Sequence, residues 1–279
     1  MSQQNTTVLV VGATGTVAST VVAGLKDKGA RVKAASRKGE GADGVAFDLA
    51  DDKTWAPALD GVDSVFLLVP GGVVDAYAFA APFLTAATNQ QKKVVLMTAL
   101  GVDAAPESPY ARLEQLLTSS GAPYVILRPN WFSDNFRTYW GHGVKTGVIA
   151  VPAGDAASSF IDTRDIAASA VGALTSSSFD NKAFNLTGPQ AHTYAEAATM
   201  LSKIVGHPVR YQHTQDEPFV AGLVGAGVSE GYARMLTAIF VPVKLGYTAG
   251  VTDHVQQLSG KAPRSLQTWA NDNAAALKG

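Results

Sequence analysis

Gly12, Gly15 and Ala18 close the segment V-L-V-V-G-A-T-G-T-V-A, where the apolar run Val8 to Val11 breaks into a glycine-rich turn. That spacing turns a buried strand into the N-terminus of a helix. Gly12 permits the tight turn, Gly15 lets backbone N–H groups come close to a pyrophosphate, and Ala18 is the small residue where helix meets sheet. Any strand-to-helix turn that needs positive φ would use the same glycines, so the next segment has to discriminate. About twenty residues beyond the first glycine, an NAD-binding chain places a carboxylate on the ribose 2′-hydroxyl. This chain instead reads A-A-S-R-K-G at 34–39, with Ser36, Arg37 and Lys38 after a second apolar strand. Hydroxyl and cationic donors at that point favour NADP(H) over NAD. A 2′-phosphate suits the planar guanidinium of Arg37, and charge-assisted bonds of this kind contribute roughly 1.5 to 3 kcal/mol. The alternative is that Arg37 and Lys38 merely solvate a loop.

A second set of residues follows Arg128, where Trp131, Phe132, Phe136, Tyr139 and Trp140 crowd into ten positions with Asn130 and Asn135 interleaved. Asn130, Trp131, Phe132, Asn135, Tyr139 and Trp140 have the composition of a wall for a flat aromatic substrate. Core packing is the competing reading, against which stands the cost of drying two asparagines without partners. The five histidines, His142, His192, His207, His213 and His254, lack close metal-ligand spacing, so no metal is expected. His142 alone falls near the aromatic run, in the glycine-rich stretch Gly141 to Gly147 that reads as a surface turn. No G-x-S-x-G turn follows a strand, which argues against a serine hydrolase.

Composition narrows the classes further. With 22 Lys plus Arg, 23 Asp plus Glu and a formal net charge of −1, there is no electrostatic footprint of a nucleic-acid partner. The absence of cysteine removes thiol catalysis, disulfides and cysteine-held metal. The start M-S-Q-Q-N-T-T lacks the basic and apolar regions of a secretory leader, and no apolar run approaches the ~18 residues of a membrane span. A cytoplasmic protein is expected, without a membrane partner.

The elements that must position these residues alternate. Val45 to Phe47, Ser64 to Val69, Val94 to Thr98 and Tyr124 to Leu127 read as buried strands; Thr16 to Lys28, Asp51 to Leu59, Asp75 to Gln90 and Pro109 to Ser120 read as helices. Such alternation predicts an α/β fold with a doubly wound parallel sheet and right-handed crossovers. Thr193 and Glu196 form a capping box for a helix to about Val205, and Ser265 starts a last helix through Trp269.

The ordered set V-V-G-A-T-G-T-V-A, L-R-P-N-W-F-S-D-N-F at 127–136, F-I-D-T-R-D-I-A at 160–167, F-N-L-T-G-P-Q-A-H-T-Y-A-E-A at 184–197 and the late V-T-D-H-V-Q-Q-L-S-G-K-A-P-R-S-L resembles the NmrA-like branch of the atypical short-chain dehydrogenases. The resemblance covers nearly the full chain. It implies a Rossmann-type domain over 1–150, to which the chain returns around 160–190, a smaller C-terminal α/β lobe over 191–279, and an active cleft between them. It also implies two functional classes: NADPH-dependent reductases of quinones, azo or triphenylmethane dyes and related conjugated compounds, and NADP-binding redox sensors with little or no turnover. A homodimer is compatible with either.

Carried over by position, Gly12, Thr14, Gly15, Thr16 and Val17 would contact phosphates, Arg37 and Lys38 the 2′-phosphate, and Asp48 and Leu49 the adenine. Asp48 has a second reading as the cap of the helix near Asp51. Val69, Pro70 and Gly71 would lie beside the ribose or nicotinamide, at the carboxyl edge where such sheets bind ligands. Thr98 and Ala99, which end the fifth strand, would also contact the cofactor. In ordinary short-chain dehydrogenases a Tyr is followed four residues later by a Lys that activates the phenol. Here Tyr110 is followed by Glu114, and a carboxylate disfavours phenolate. Tyr110 is therefore a poor copy of that acid–base residue, equally readable as an aromatic at a helix start, and Thr98 leaves one hydroxyl near the position where that larger family carries its catalytic serine; these two are the catalytic candidates, while Glu114 would accept from ribose hydroxyls. An isolated ketone needs a proton donor for its localised alkoxide, whereas a conjugated acceptor disperses the charge. The expected function is NADPH-dependent, flavin-independent hydride transfer to a conjugated aromatic small molecule; the alternative is the NADP sensor.

Overall fold

The computed structural model describes residues 6–278. Residues 1–5, part of the segment read for a leader, lie outside the described residues. In chain order the elements are β1 (Thr7–Val11), α1 (Thr16–Asp27), β2 (Arg31–Ser36), β3 (Gly44–Ala46), α2 (Trp55–Leu59), β4 (Ser64–Leu68), α3 (Ala76–Asn89), β5 (Lys93–Met97), α4 (Pro109–Ser119), β6 (Tyr124–Pro129), α5 (Gly141–Thr146), β7 (Val148–Val151) and β8 (Ala157–Ser158). Then come α6 (Thr163–Thr175), β9 (Lys182–Leu186), β10 (His192–Thr193), α7 (Tyr194–Val205), β11 (Arg210–His213), α8 (Asp216–Gly225), α9 (Glu230–Ala238), α10 (Val241–Lys244), α11 (His254–Ser259), α12 (Leu266–Asp272) and α13 (Ala274–Lys278).

The chain divides into two compact units. Among the described residues the first comprises 6–129, 164–186 and 254–261, the second 130–163, 187–253 and 262–278. The dividing point at Pro129 differs from the expected bounds of 1–150 and 191–279, because the aromatic run after β6 joins the second unit's core at once.

In the first unit seven parallel strands are ordered β3-β2-β1-β4-β5-β6-β9. This is a Rossmann-like α/β sheet. Val8, Leu9, Val10, Val65, Phe66, Leu67, Val94, Val95 and Leu96 are fully buried, as continuous apolar runs must be when helices cover both faces. In α1, Val17, Ala18, Val21 and Leu25 form the buried stripe. Asp75 caps α3 by accepting from Ala78 N at 2.9 Å, and Ser108 caps α4 by accepting from Ala111 N at 3.2 Å.

Two expected elements change. The helix read over Asp51 to Leu59 begins as a 3-10 turn at Asp52–Thr54, because the Thr54 hydroxyl donates back to the carbonyls of Asp51 (2.6 Å) and Asp48 (3.1 Å). The stretch Gly141 to Gly147, read as a turn, is the helix α5 closed by Gly147 at φ +90°. Glycine serves close packing there: a Cβ on Gly143 would stand 2.4 Å from the Val148 carbonyl oxygen.

The second unit is built around Tyr194, Trp269, Phe136 and Phe160, all buried to within 1% of fully. Two short sheets, β10 with β8 antiparallel and β11 with β7 parallel, flank α7. The capping box is present: Glu196 N donates to Thr193 Oγ1 at 3.1 Å, and Thr193 N donates to Glu196 Oε2 at 2.8 Å. The Thr193 backbone N–H holds the Glu196 carboxyl below its ordinary value, with the Thr193 side chain adding to the effect.

Thr193→Ala is expected to destabilise the protein by about 1 kcal/mol in urea unfolding. The lowered carboxyl contributes stability that is present above its ordinary pKa of 4.5 and is lost as pH falls through the lower folded value. The variant's stability should therefore be less sensitive to pH below that point than the wild type's. Equal unfolding midpoints at neutral pH would show that the Thr193 hydroxyl contributes nothing.

Candidate active site

Strand β1 ends in a turn shaped by Gly12 at φ +70°, and Gly15 N donates to the Gly12 carbonyl at 2.8 Å. Helix α1 then opens on Gly15 in extended conformation, with no side-chain cap and no acidic residue in its first turn. Its leading amides carry the positive end of the helix dipole toward solvent. A Cβ on Gly15 would lie 3.2 Å from the Gly12 carbonyl oxygen, so the close turn favours glycine. Thr14, Gly15 and Thr16 are exposed, whereas the Val17 side chain is buried and only its backbone can serve a ligand. This cradle fits the phosphates of a dinucleotide.

Arg37 and Lys38 follow β2 and are exposed. Lys38 stands 3.7 Å from Glu40 with both side chains mostly in solvent, while Arg37 makes no ion pair among the described residues. Gly39 N donates to Ser36 Oγ at 3.1 Å and folds the turn. Asp48 accepts from Ala50 N at 2.9 Å, and its carbonyl accepts from Trp55 Nε1 at 2.9 Å. The helix cap considered for Asp48 belongs to Asp51, which accepts from Lys53 N at 3.2 Å. Leu49 and Val69 pack in the first unit's core, and Pro70, Gly71 and Ala99 are exposed at strand ends.

The residues after β5 are arranged differently from expectation. Glu114 is 5% exposed and receives four contacts: Thr98 Oγ1 donates to Oε1 at 2.6 Å, Arg128 Nε reaches Oε1 at 3.0 Å and Oε2 at 3.2 Å, and Arg128 Nη2 donates to Oε2 at 2.6 Å. Arg128 Nη1 donates to Asp103 at 2.7 Å. Both Glu114 oxygens are committed, which corrects their expected role as ribose acceptors. Burial pulls the Arg128 guanidinium down, but hydrogen bonding and attraction to Glu114, then Asp103, raise it above its ordinary value. Thr98's proton is likewise committed, so its hydroxyl is no proton donor as it stands. Tyr110 lies in the first turn of α4, half-buried against the first unit's core. Sequence reasoning passed over Arg128. The available signal was a lone cation inside Y-V-I-L-R-P, a strand otherwise buried, which requires a counter-charge.

In the second unit, Asn130 is 3% exposed and its amide is spent internally. Nδ2 donates to Ser159 Oγ (2.7 Å) and the Thr248 carbonyl (2.8 Å), and Oδ1 accepts from Trp131 N (2.9 Å). The expected substrate contact is thereby corrected to a structural tie. Trp131 stacks at 5.6 Å on Trp140 and at 4.6 Å on Phe240, and Trp140 meets Phe136 and Tyr194 edge-on. Both tryptophans are packed against the core. Phe132 and Asn135 are half-buried, and Tyr139 is 70% exposed. Of the expected wall, Tyr139 keeps the most surface, while Phe132 and Asn135 are half-buried as Trp131 and Trp140 are. His142 is exposed on α5.

A surface cavity of about 370 Å³ between α7 and α12 is lined by Glu196, Lys203 and Gln267 and includes none of the expected site residues. Another of about 280 Å³, in the first unit, is lined in part by Asp103, Glu114, Tyr124 and Arg128.

The sequence profile of the NAD(P)H-binding family matches residues 12–177. The NAD(P)H azoreductase of Xenophilus azovorans is 35% identical over 97% of this chain and 99% of its own length. Two solved structures share the fold. The NADPH-dependent quinone oxidoreductase of Escherichia coli in complex with NADPH has a TM-score of 0.80 at 22% identity, covering 95% of this chain and 99% of that one. The Citrobacter sp. triphenylmethane reductase in complex with NADP(H) has a TM-score of 0.75 at 21% identity, covering 96% and 99%.

The division of the aromatic run is testable by stability alone. Trp131→Ala is expected to lower unfolding free energy by about 3 kcal/mol, the low end for a buried aromatic because Trp131 is only half-buried. Tyr139→Ala should cost less than about 0.5 kcal/mol, as surface changes do. Urea melts giving comparable losses for both would place Tyr139 in the core as well.

Proposed function

The chain belongs to the NAD(P)H-binding family and is an NAD(P)H-dependent oxidoreductase, and on that premise we propose that it uses NADPH to reduce a conjugated aromatic acceptor of quinone, azo or triarylmethane type without a flavin. When bound, the reduced nicotinamide supplies the hydride. The chain's own residues bind and orient. The leading amides of α1 and the turn Gly12 to Gly15 would hold the pyrophosphate, and Arg37, with Lys38 beside it, the 2′-phosphate. Asp48 would meet the adenine, and the backbone of Val69 to Gly71 the ribose at the end of β4.

One observation carries the acceptor class: the residue one turn after Tyr110 is the carboxylate Glu114, and the cation that holds it, Arg128, is consumed by Glu114 and Asp103. No lysine stands one turn after Tyr110 to activate its phenol, and Thr98 donates to a carboxylate. A localised alkoxide would go unassisted here, whereas a quinone, azo bond or dye cation spreads or neutralises the incoming charge. Holding donor and acceptor in contact then supplies most of the rate. Phe132, Asn135 and Tyr139 are the residues we assign to the acceptor.

Arg37→Glu should weaken NADPH binding roughly ten- to a hundred-fold while leaving NADH nearly unchanged, since it replaces a phosphate donor with a repelling charge. Calorimetry that finds equal affinity of the unaltered protein for both cofactors would remove the phosphate assignment.

Acceptor chemistry is tested by NADPH oxidation with a panel of quinones, azo dyes and triarylmethane dyes. Tyr110→Phe should slow the active acceptors by less than about tenfold, well below the 10² to 10⁴ typical of a general acid. A loss beyond about 10³-fold in a folded variant would make Tyr110 a general acid. Tight NADPH binding with no acceptor reduced would favour a sensor over a reductase.

A further inference from the structure

We propose that Glu114, held by Arg128, fixes the direction of the Thr98 hydroxyl and so excludes acceptors that need a hydrogen-bond donor at the end of β5. This deepens the reductase reading and rests on it for the choice of substrate class. The argument begins with the number of protons. Thr98 has one hydroxyl proton, and two arrangements are open to it: donation to Glu114, or donation to something bound.

Arg128 decides between them. Its Nε and Nη2 donate to both Glu114 oxygens, at 3.0 and 2.6 Å, which keeps the carboxyl an acceptor on each side. Glu114 therefore has no proton to give, and the 2.6 Å contact with Thr98 must use the threonine's own. Thr98 is 7% exposed and Glu114 5%, so water does not compete freely for that bond. Asp103 on Arg128 Nη1, at 2.7 Å, fixes the guanidinium plane from its other side. What Thr98 presents to a bound molecule is then lone pairs alone. An oxyanion forming beside it would be repelled, while a hydroxyl or amide N–H would be accepted. Glu114 and Arg128 act through Thr98 and are positioning residues.

Glu114→Gln reverses the device. Arg128 Nη2 and Nε both reach the Oε2 position, at 2.6 and 3.2 Å, so the introduced amide keeps its oxygen there and turns its NH₂ to the Oε1 position beside Thr98. The Thr98 oxygen now accepts, and its proton is released to point at a bound molecule.

The first measurement needs no cofactor. In the unaltered protein, NMR is expected to show a Thr98 hydroxyl proton exchanging with solvent at least about tenfold more slowly than those of surface threonines, with its assignment fixed by loss of the signal in Thr98→Val. Exchange as fast as at the surface overturns the proposal, and this holds whether or not Glu114→Gln folds.

The second measurement reads specificity as the ratio of NADPH oxidation with an isolated aliphatic ketone to that with a quinone. Glu114→Gln is expected to raise the ratio about tenfold or more, and Thr98→Val in the same chain to abolish the gain. An unchanged ratio in folded Glu114→Gln, or a gain that survives Thr98→Val, overturns the proposal. If the unaltered protein reduces no conjugated acceptor, the reductase reading fails, while the hydroxyl proton still decides the direction of the bond.

Discussion

All seven strands of the first unit run the same way, and that constraint orders everything chemical in it. Parallel neighbours cannot be joined by a hairpin, so each crossover needs a chain long enough to return, usually as a helix. The strand ends and the helix N-termini consequently gather along one edge. Gly12, Arg37, Val69 and Thr98 each follow a strand directly, Asp48 comes one residue later, and all share that edge, although 86 positions separate the first from the last. The order also reverses between β1 and β4, the two strands that leave their connections in opposite directions. A crevice opens at such a point, with the uncapped end of α1 beside it.

The same arrangement creates a problem that Glu114 and Arg128 solve together. A carboxylate on the buried side of α4 would be costly alone, and so would a guanidinium projecting from β6. Paired, they satisfy each other through two N–H donors, and the remaining acceptor capacity is used by Thr98 at the end of β5. One ionic group thereby ties α4, β5 and β6. Removing Arg128 leaves the buried Glu114 carboxylate without a counter-charge, and removing Glu114 leaves Arg128 with Asp103 alone, so the pair restricts substitution more strongly than its net stabilisation would suggest.

Where local chemistry determines structure, the sequence was readable. Apart from α2, whose first turn is 3-10, each expected strand and helix of the first unit lies within about two residues of its observed position, because apolar runs and caps such as Asp75 and Ser108 act over a few residues. Partners brought from afar were not readable. Asn130 has the composition of a substrate contact, yet its amide is used by Thr248, 118 residues away. Glu114 looked available because spacing along a helix shows the neighbour at one turn and not the strand beneath it. Trp131 and Trp140 looked like a wall, but the aromatics that cover them, Phe240 and Tyr194, come from later in the chain. Gly147, which closes α5, looked like part of a turn for a similar reason, since a Cβ there would meet the distant Pro208 carbonyl oxygen.

The proposed reading separates two kinds of recognition by the atoms that perform them. At the end of β1 the phosphate contacts come from backbone amides, whose position depends on Gly12 and Gly15 and hardly on any side chain's length or charge. Such a site stays intact as surface residues vary. Cofactor choice then rests on very few side chains, chiefly Arg37, which is exposed and makes no ion pair among the described residues. Acceptor choice would rest on exposed or half-buried groups such as Tyr139, Phe132 and Asn135. The direction of the Thr98 hydroxyl belongs to neither kind. It is set by a buried ion pair, cannot drift with the surface, and would confine the chain to acceptors that disperse their own charge.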